Sequence, residues 1–399
     1  MNMSRWELYE EVAVLSTNKE RAVAALITQG PMHRADLARV LSVSRTTVTN
    51  VISGLLEAGL VEEEANGGLK SDVFVAEGLG VLVSVVFRIS ETVVVVGGAD
   101  GRLLRVGQSV EGVEASGSAR LEDAVGLVRE LLAGLGNPRV HAGHVAVNTQ
   151  VDVRSGEVVG GEASSMWAGT NPRVVLAEAL DGAPVLLENT ARLMGLVEQL
   201  AVPGERPRNL VYVHLSHGVA MGQVLGGRIV QGSHGGAGEL GHVSIEPDGI
   251  PCSCANQGCL MQYIGQRAVE ARGVAILGTG AGISDVVGKA VEGSHACRAL
   301  VADVGVALGR ALVGVANLID PDVVVVGGEL AGAGGLLTEP VERTVRNHAL
   351  PLSTRGLRVL TADASRDVVA VARAGLHILR EDEGLVERIV RAALSAADA

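Results

Sequence analysis

Apolar and polar positions fall into two regimes along this chain. Up to about residue 76 the apolar residues recur at helical spacing in short stretches. Residues 20–29 set Val23, Leu26 and Ile27 on one face and stop at Gly30-Pro31, which predicts a helix ended by a breaker. Residues 34–41 repeat the pattern with Leu37 and Leu41, and Ser42-Val43-Ser44 makes a tight connection. Residues 45–58 then carry Val48, Val51, Ile52, Leu55 and Leu56 on one face, with Gly59 as the cap. Short strands are expected at 60–62 and 73–75, and Ala65-Asn66-Gly67-Gly68 between them is a hairpin signal. Three helices, a three-residue turn and a hairpin describe a winged helix-turn-helix.

From Gly78 the pattern switches to apolar runs alternating with helical stretches. Strands are expected at 81–89, 92–96, 140–148, 185–187, 210–215, 219–225 and 323–326. The first two pair as a hairpin, and Ala99-Asp100-Gly101 turns the chain. Helices are expected at 121–135, 191–200, 265–275, 297–319, 336–346 and 368–380. Such alternation means an α/β fold in layers. Two similar halves meeting near residues 191–209 point to two lobes around a cleft. The Val-Val-Val-Val-Gly-Gly runs at 93–98 and 323–328 are too brief to prove duplication. The expected division is a winged helix-turn-helix at 1–77, a first lobe at 78–190 and a second lobe at 191–365. Helices at 366–399 are expected to return to the first lobe.

Composition narrows the class. With 399 residues, 47% of them apolar, the chain is too long for one small domain and too apolar to be disordered. Four cysteines exclude a disulfide scaffold and point to a reducing compartment. No apolar run approaches the ~18–20 residues of a membrane span, and the first residues carry acids where a signal peptide needs a basic start. A soluble cytoplasmic protein is expected, with no membrane partner. The net charge of −12 excludes a protein that coats nucleic acid indiscriminately, but not one module with a local patch. Two Trp, three Tyr and two Phe are too few for a platform that stacks single-stranded bases.

The third predicted helix carries the chemistry of the front end. Beside its apolar face stand Arg45, Thr46, Thr47, Thr49 and Asn50: one cation, three hydroxyls and an amide. These suit phosphate oxygens and base edges in a major groove of double-stranded DNA. Ser44 is placed to cap the helix, whose N-terminus favours a phosphate, and Lys70 in the hairpin is placed to touch backbone or minor groove. The plain alternative is a small helical domain with an ordinary polar surface. Three Thr in one exposed stretch argue against packing alone, because Thr is a poor helix former.

A second cluster lies further on. His242, Cys252, Cys254 and Cys259 gather three of the four cysteines and a histidine within 18 residues. Pro247, Gly249, Pro251 and Gly258 make the segment a loop without a core of its own. A Cys₃His set in such a loop satisfies tetrahedral, structural zinc. The alternative is three buried thiols and a core histidine. Cys297 stands alone near a helix start and reads as a small buried apolar group.

The segment LSHGVAMGQVLGGRIVQGSHGGAGELGHVSIEPDGIPCSCANQGCLMQY, from Leu215 to Tyr263, resembles the ROK family of repressors, open reading frames and sugar kinases. The resemblance runs from Gly78 to about Leu379. It implies an actin-like, two-lobed, sugar kinase-like fold with zinc in the second lobe. It also implies a regulator layout, because a winged helix precedes the lobes. The family's kinases open with Asp-x-Gly-Gly-Thr, where this chain has Arg88-Ile89-Ser90-Glu91-Thr92. Their Gly-Thr-Gly stands here as Ser216-His217-Gly218, and their Glu-Asn-Asp as Glu188-Asn189-Thr190. Thr at neutral pH cannot take a proton from a sugar hydroxyl. Asn189, Glu239 and His242 match the family's ligand positions, whereas Ser164, Ala255 and Met261 replace its Asn, Gly and Glu.

The expected function is a sequence-specific transcriptional regulator, read as a repressor, and not an enzyme. Zinc is its expected cofactor and ATP is not. One recognition helix reads too little sequence for a genome, so a homodimer or dimer of dimers on an inverted repeat is expected. A sugar or other small molecule in the cleft is the expected effector. The alternatives are a carbohydrate kinase that also binds DNA, and a DNA-binding dimer without an effector.

Overall fold

The computed structural model describes residues 15–65, 71–110, 115–159, 166–167, 169–202 and 206–397. The front end folds as α1 (Asn18–Gln29), β1 (Met32–His33), α2 (Arg34–Leu41), α3 (Arg45–Glu57), β2 (Val61–Ala65) and β3 (Ser71–Val75). α1 starts two residues earlier than its apolar spacing predicts. Thr17 and Glu20 form a capping box, each side chain holding the other's backbone N–H. α2 ends at Ser42 in the left-handed conformation, φ 56°, which makes the sharp turn into α3. Val23, Leu26, Ile27, Leu37, Leu41, Val48, Ile52 and Leu55 form the core, as the periodicity predicts. The small sheet has the order β1-β3-β2, so the predicted hairpin gains a third, two-residue strand.

A five-stranded sheet follows, built from β4 (Val81–Phe87), β5 (Glu91–Gly98), β6 (Leu103–Val110), β7 (Val140–Val147) and β8 (Val185–Asn189). Its order is β6-β5-β4-β7-β8. β4 and β5 pair antiparallel as expected. β6 was not expected. It is an edge strand with mostly exposed or half-exposed residues, so it lacks a continuous apolar run. β4 and β5 read as solid apolar runs because helices cover both faces of the sheet. α4 (Gly117–Ala133) and α5 (Pro172–Ala179) lie on one side, and α12 (Val368–Arg380) lies on the other.

α6 (Thr190–Ala201) crosses to the second lobe, which is built on β9 (Asn209–Leu215), β10 (Val219–Leu225), β11 (Arg228–Ile229), β12 (Val323–Gly328) and β13 (Arg358–Thr361). Their order, β11-β10-β9-β12-β13, repeats the first sheet strand for strand. The duplication is therefore one of topology. The two Val-rich runs are not its trace, since one is the second strand of its lobe and the other the fourth.

α7 (Met261–Ile264), α8 (Gln266–Leu277), α9 (Ile283–Glu292), α10 (His295–Ile319) and α11 (Gly335–His348) complete this lobe. Gly305 and Gly309 let α10 approach α11 closely, because a Cβ at either would lie 2.6 Å from atoms of α11. Among the described residues, α10 is long and apolar enough to cross a membrane, where the sequence reading found no such run. Its charges are sparse, but half of the window is buried within the lobe, as in a core helix. The chain then returns through α12 to α13 (Glu383–Ala397), which packs on α12, β7 and α1.

Candidate DNA-reading helix, metal centre and cleft

Arg45, Thr46, Thr49 and Asn50 are exposed on α3, opposite the buried Val48, Ile52 and Leu55. Ser44 caps the helix, accepting from the Thr47 N–H at 3.0 Å. Thr47 itself is half-buried, and its hydroxyl lies 2.8 Å from the Ser44 hydroxyl. The Thr49 hydroxyl donates to the Arg45 carbonyl at 3.0 Å. Two of the three threonines therefore bond within the helix start. Arg34 bridges α2 to β2 through Glu63 at 2.5 Å, and Arg39 pairs with Asp36. Among the described residues Arg45 has no acidic partner. Lys70 lies outside the described residues. Residues 1–77 carry seven basic and eleven acidic side chains, so the module gains little from bulk charge.

The module is fastened to the first lobe at the β5–β6 turn. Arg102 pairs with the buried Asp100 at 3.0 Å, donates to the Val75 carbonyl at 3.2 Å and lies 3.9 Å from the centre of the Phe74 ring. Arg380, at the end of α12, donates to the carbonyls of Asp100 and Thr28.

In the second lobe, the donor atoms of His242, Cys252, Cys254 and Cys259 all lie within 4.8 Å of one another. Cys252 Sγ is 3.7 Å from His242 Nδ1, and the Cys254 and Cys259 sulfurs are 3.6 Å apart. Those spacings match the edges of a tetrahedron with metal–sulfur bonds of about 2.3 Å. The Gln262 amide donates to Cys252 Sγ at 3.3 Å, a contact that would orient a thiolate toward a metal. Burial raises the Cys252 thiol, but hydrogen bonds from the Cys254 backbone and the Gln262 side chain outweigh it and bring it to about 6. The loop closes through Cys252 N–H to the Asn256 carbonyl at 2.8 Å, with Ala255 at φ 66°. Gly258 is obligatory, since a Cβ there would lie 1.6 Å from the Glu246 carbonyl oxygen. Cys297 is fully buried on α10.

The cleft residues close on one another. Glu239 accepts from the Gln150 amide at 2.7 Å. Asn189 caps α6, donates to the Thr149 carbonyl at 2.8 Å and accepts from Ala191 N–H at 2.8 Å. Sequence reasoning did not single out Gln150 or Arg192. The Glu188–Arg192 pair is buried at 2.7 Å, and Arg192 reaches across to the carbonyls of Gly235 and Ala237. Gln231 donates to the other Glu188 oxygen at 2.6 Å. The i,i+4 spacing of Glu188 and Arg192 was a usable signal, but its partners 43 or more residues away were not.

In the first lobe Arg120 donates to the Arg88 carbonyl at 2.6 Å, and the Arg88 guanidinium faces Glu91 at 3.4 Å and the Arg366 carbonyl at 3.3 Å. The Thr190 hydroxyl is buried and donates to the Phe87 carbonyl at 3.3 Å. Trp167 is buried edge-on against Phe87, whereas Ser164 lies outside the described residues.

The ROK family profile matches residues 137–374, more than half of the chain, and the MarR family profile matches residues 15–67. A glucokinase of Halalkalibacterium halodurans is 28% identical over 225 residues, which is 51% of this chain and 66% of that protein. The DNA-binding transcriptional repressor Mlc of Escherichia coli is 23% identical over 360 residues, 85% of this chain and 87% of that protein. The crystal structure of a ROK family transcriptional regulator, a homologue of Mlc, superposes with a TM-score of 0.75 at 23% identity, covering 94% of this chain and 99% of that one. With a two-lobed body that repeats one sheet topology, and a winged helix ahead of it, the chain belongs to the ROK family.

Proposed function

We propose that this chain is a sequence-specific DNA-binding transcriptional repressor that reads an inverted repeat as a homodimer or dimer of dimers. The observation that carries the reading is the exposed row Arg45, Thr46, Thr49 and Asn50 on a capped helix whose opposite face is core. The similarity of nearly the whole chain to the repressor Mlc supports it. The reading divides the chain as the sequence does: 1–77 binds DNA, 78–190 and 191–365 form the lobes, and 366–399 returns to the first lobe and to α1. It places the protein in the cytoplasm, with its DNA.

Zinc held by His242, Cys252, Cys254 and Cys259 is assigned a structural role, replacing the core that the loop lacks. The effector is assigned to the cleft at Asn189, Glu239 and His242. Because Gln150 occupies Glu239, an effector that binds this carboxylate displaces Gln150 and loosens one tie between the lobes.

Phosphoryl transfer is not assigned to the chain. A buried alcohol stands where the resemblance places a catalytic Asp, and the turn at 88–91 is held by Arg120 and by Arg88 itself. Similarity to a glucokinase favours kinase activity as the second reading. Footprinting tests the first reading and a coupled ATPase assay over a sugar panel tests the second. Turnover above background would replace the repressor reading.

A further inference from the structure

A cavity of about 630 Å³ opens on the first lobe, at the edge of the sheet opposite the cleft. β7 and β8 begin at this cavity and end at the cleft, so the two sites are on the order of 25 Å apart. Two turns frame it, one with Asn137 at φ 53° and the other with Asp181 at φ 52°. Its apolar floor includes Leu132, Leu180 and Leu385, all buried.

Three guanidinium groups line the cavity, from three separate elements: Arg129 on α4, Arg139 before β7 and Arg388 on α13. None has a carboxylate within salt-bridge distance among the described residues, and Asp181 is the one acid in the lining. Elsewhere Arg34, Arg192, Arg272 and Arg346 each find an acid. The contrast holds within α13 itself, where Arg391 pairs with Glu387 at 2.6 Å while Arg388 faces the cavity alone. His141, also in the lining, titrates below its ordinary range, mainly through burial and in part through the nearby Arg139 charge.

We propose that this cavity binds a small organic anion carrying a phosphoryl group or paired carboxylates. Guanidinium forks from three directions suit such oxygens, and the volume is that of a small-molecule pocket. The position gives binding a consequence. His141 Nε2 bonds the Leu79 carbonyl, and Val81 N–H donates to the Arg139 carbonyl at 2.9 Å, so the segment joining the DNA module to the lobe forms one wall's support. α13 forms another wall and packs on α1. An anion bridging Arg129, Arg139 and Arg388 ties α13 to the lobe and steadies α1 upon it.

The test uses the full chain, with pyrophosphate and citrate as probes in buffer of matched ionic strength. Binding is read by calorimetry, and amide exchange is followed in α1 and α13. Arg129→Gln with Arg388→Gln removes two exposed charges, and Arg391→Gln is the control on the same helix. The expected result is that pyrophosphate or citrate binds the wild type and the control, slows exchange in α1 and α13, and binds the double variant at least about tenfold more weakly. Pyrophosphate alone identifies a phosphorylated ligand, and citrate alone a polycarboxylate. Binding of neither, equal binding by the double variant, or a response to non-specific duplex DNA only would overturn the proposal. No arm depends on operator recognition, so failure here is distinguishable from failure of the repressor reading.

Discussion

Gln150 donates its side-chain amide to the Glu239 carboxylate at 2.7 Å, joining a loop of the first lobe to the segment that leads into the candidate metal centre. Beside it, Val153 N–H donates to the His234 carbonyl at 3.3 Å. The two contacts join the two sides of the cleft. Replacing Gln150 with Ala removes a hydrogen bond to a charged group, which costs about 1.5–3 kcal/mol when both partners are buried. Glu239 is half-buried, so a loss near the lower end is expected in urea unfolding. Faster amide exchange confined to 149–159 and 231–239 is expected alongside.

The Glu188–Arg192 pair is the deeper tie, with side chains 3% and 1% exposed. Removing one member leaves a buried charge uncompensated. Arg192→Met is expected to cost about 3–5 kcal/mol, whereas Glu188→Leu with Arg192→Leu should recover a large part of that loss. Chemical denaturation of the three proteins checks both statements.

One zinc per chain is expected by atomic absorption. Cys254→Ser should lose the metal and destabilise the second lobe by several kcal/mol, as should a strong chelator. Metal-free protein of unchanged stability would contradict a structural site. Ala255 supplies a finer check, because it holds φ 66°, a conformation that costs a non-glycine residue about 1–2 kcal/mol. After the entropy that glycine adds to the unfolded chain, Ala255→Gly should stabilise by roughly 0.5–1 kcal/mol.

Acid should weaken the fold before its carboxylates titrate. Burial holds His144 down to about 3; burial, with the Arg88 charge, holds His214 down to about 4; the ordinary value is 6.5. The unfolded chain therefore binds more protons than the folded one between those values. This stability is complete above pH 6.5 and is lost as pH falls toward 4. The slope reaches about 1.4 kcal/mol per pH unit for each histidine. Urea midpoints between about pH 7 and pH 5 should fall accordingly, and a flat profile would contradict neutral burial of these rings.

Much of the fold was legible because its signals are local. The runs at β4, β5, β9, β10 and β12 are solidly apolar, and the three front helices carry clear faces and breakers. β6 and β13 escaped because edge strands alternate weakly. The gathering of His242, Cys252, Cys254 and Cys259 was legible as a cluster of rare residue types. The closed cleft was not, since Gln150 and Glu239 lie 89 residues apart and neither belongs to a motif that predicts the other. The role of Thr47 was also hidden, because only the folded helix start brings its hydroxyl to Ser44.

That contact changes the choice of variant on α3. Thr47→Ala disturbs the cap as well as any DNA contact, whereas Arg45 and Asn50 are exposed and free of such duties. Asn50→Ala should leave the melting temperature unchanged and cost about 1–3 kcal/mol of specific binding, as a lost base contact does. Thr47→Ala should lower both.

Footprinting across the promoters beside its own gene, wild type against Arg45→Ala, tests the central claim most directly. The account predicts a protected inverted repeat that the variant no longer covers, at unchanged melting temperature. No protected repeat, or the same footprint from both proteins, would contradict it.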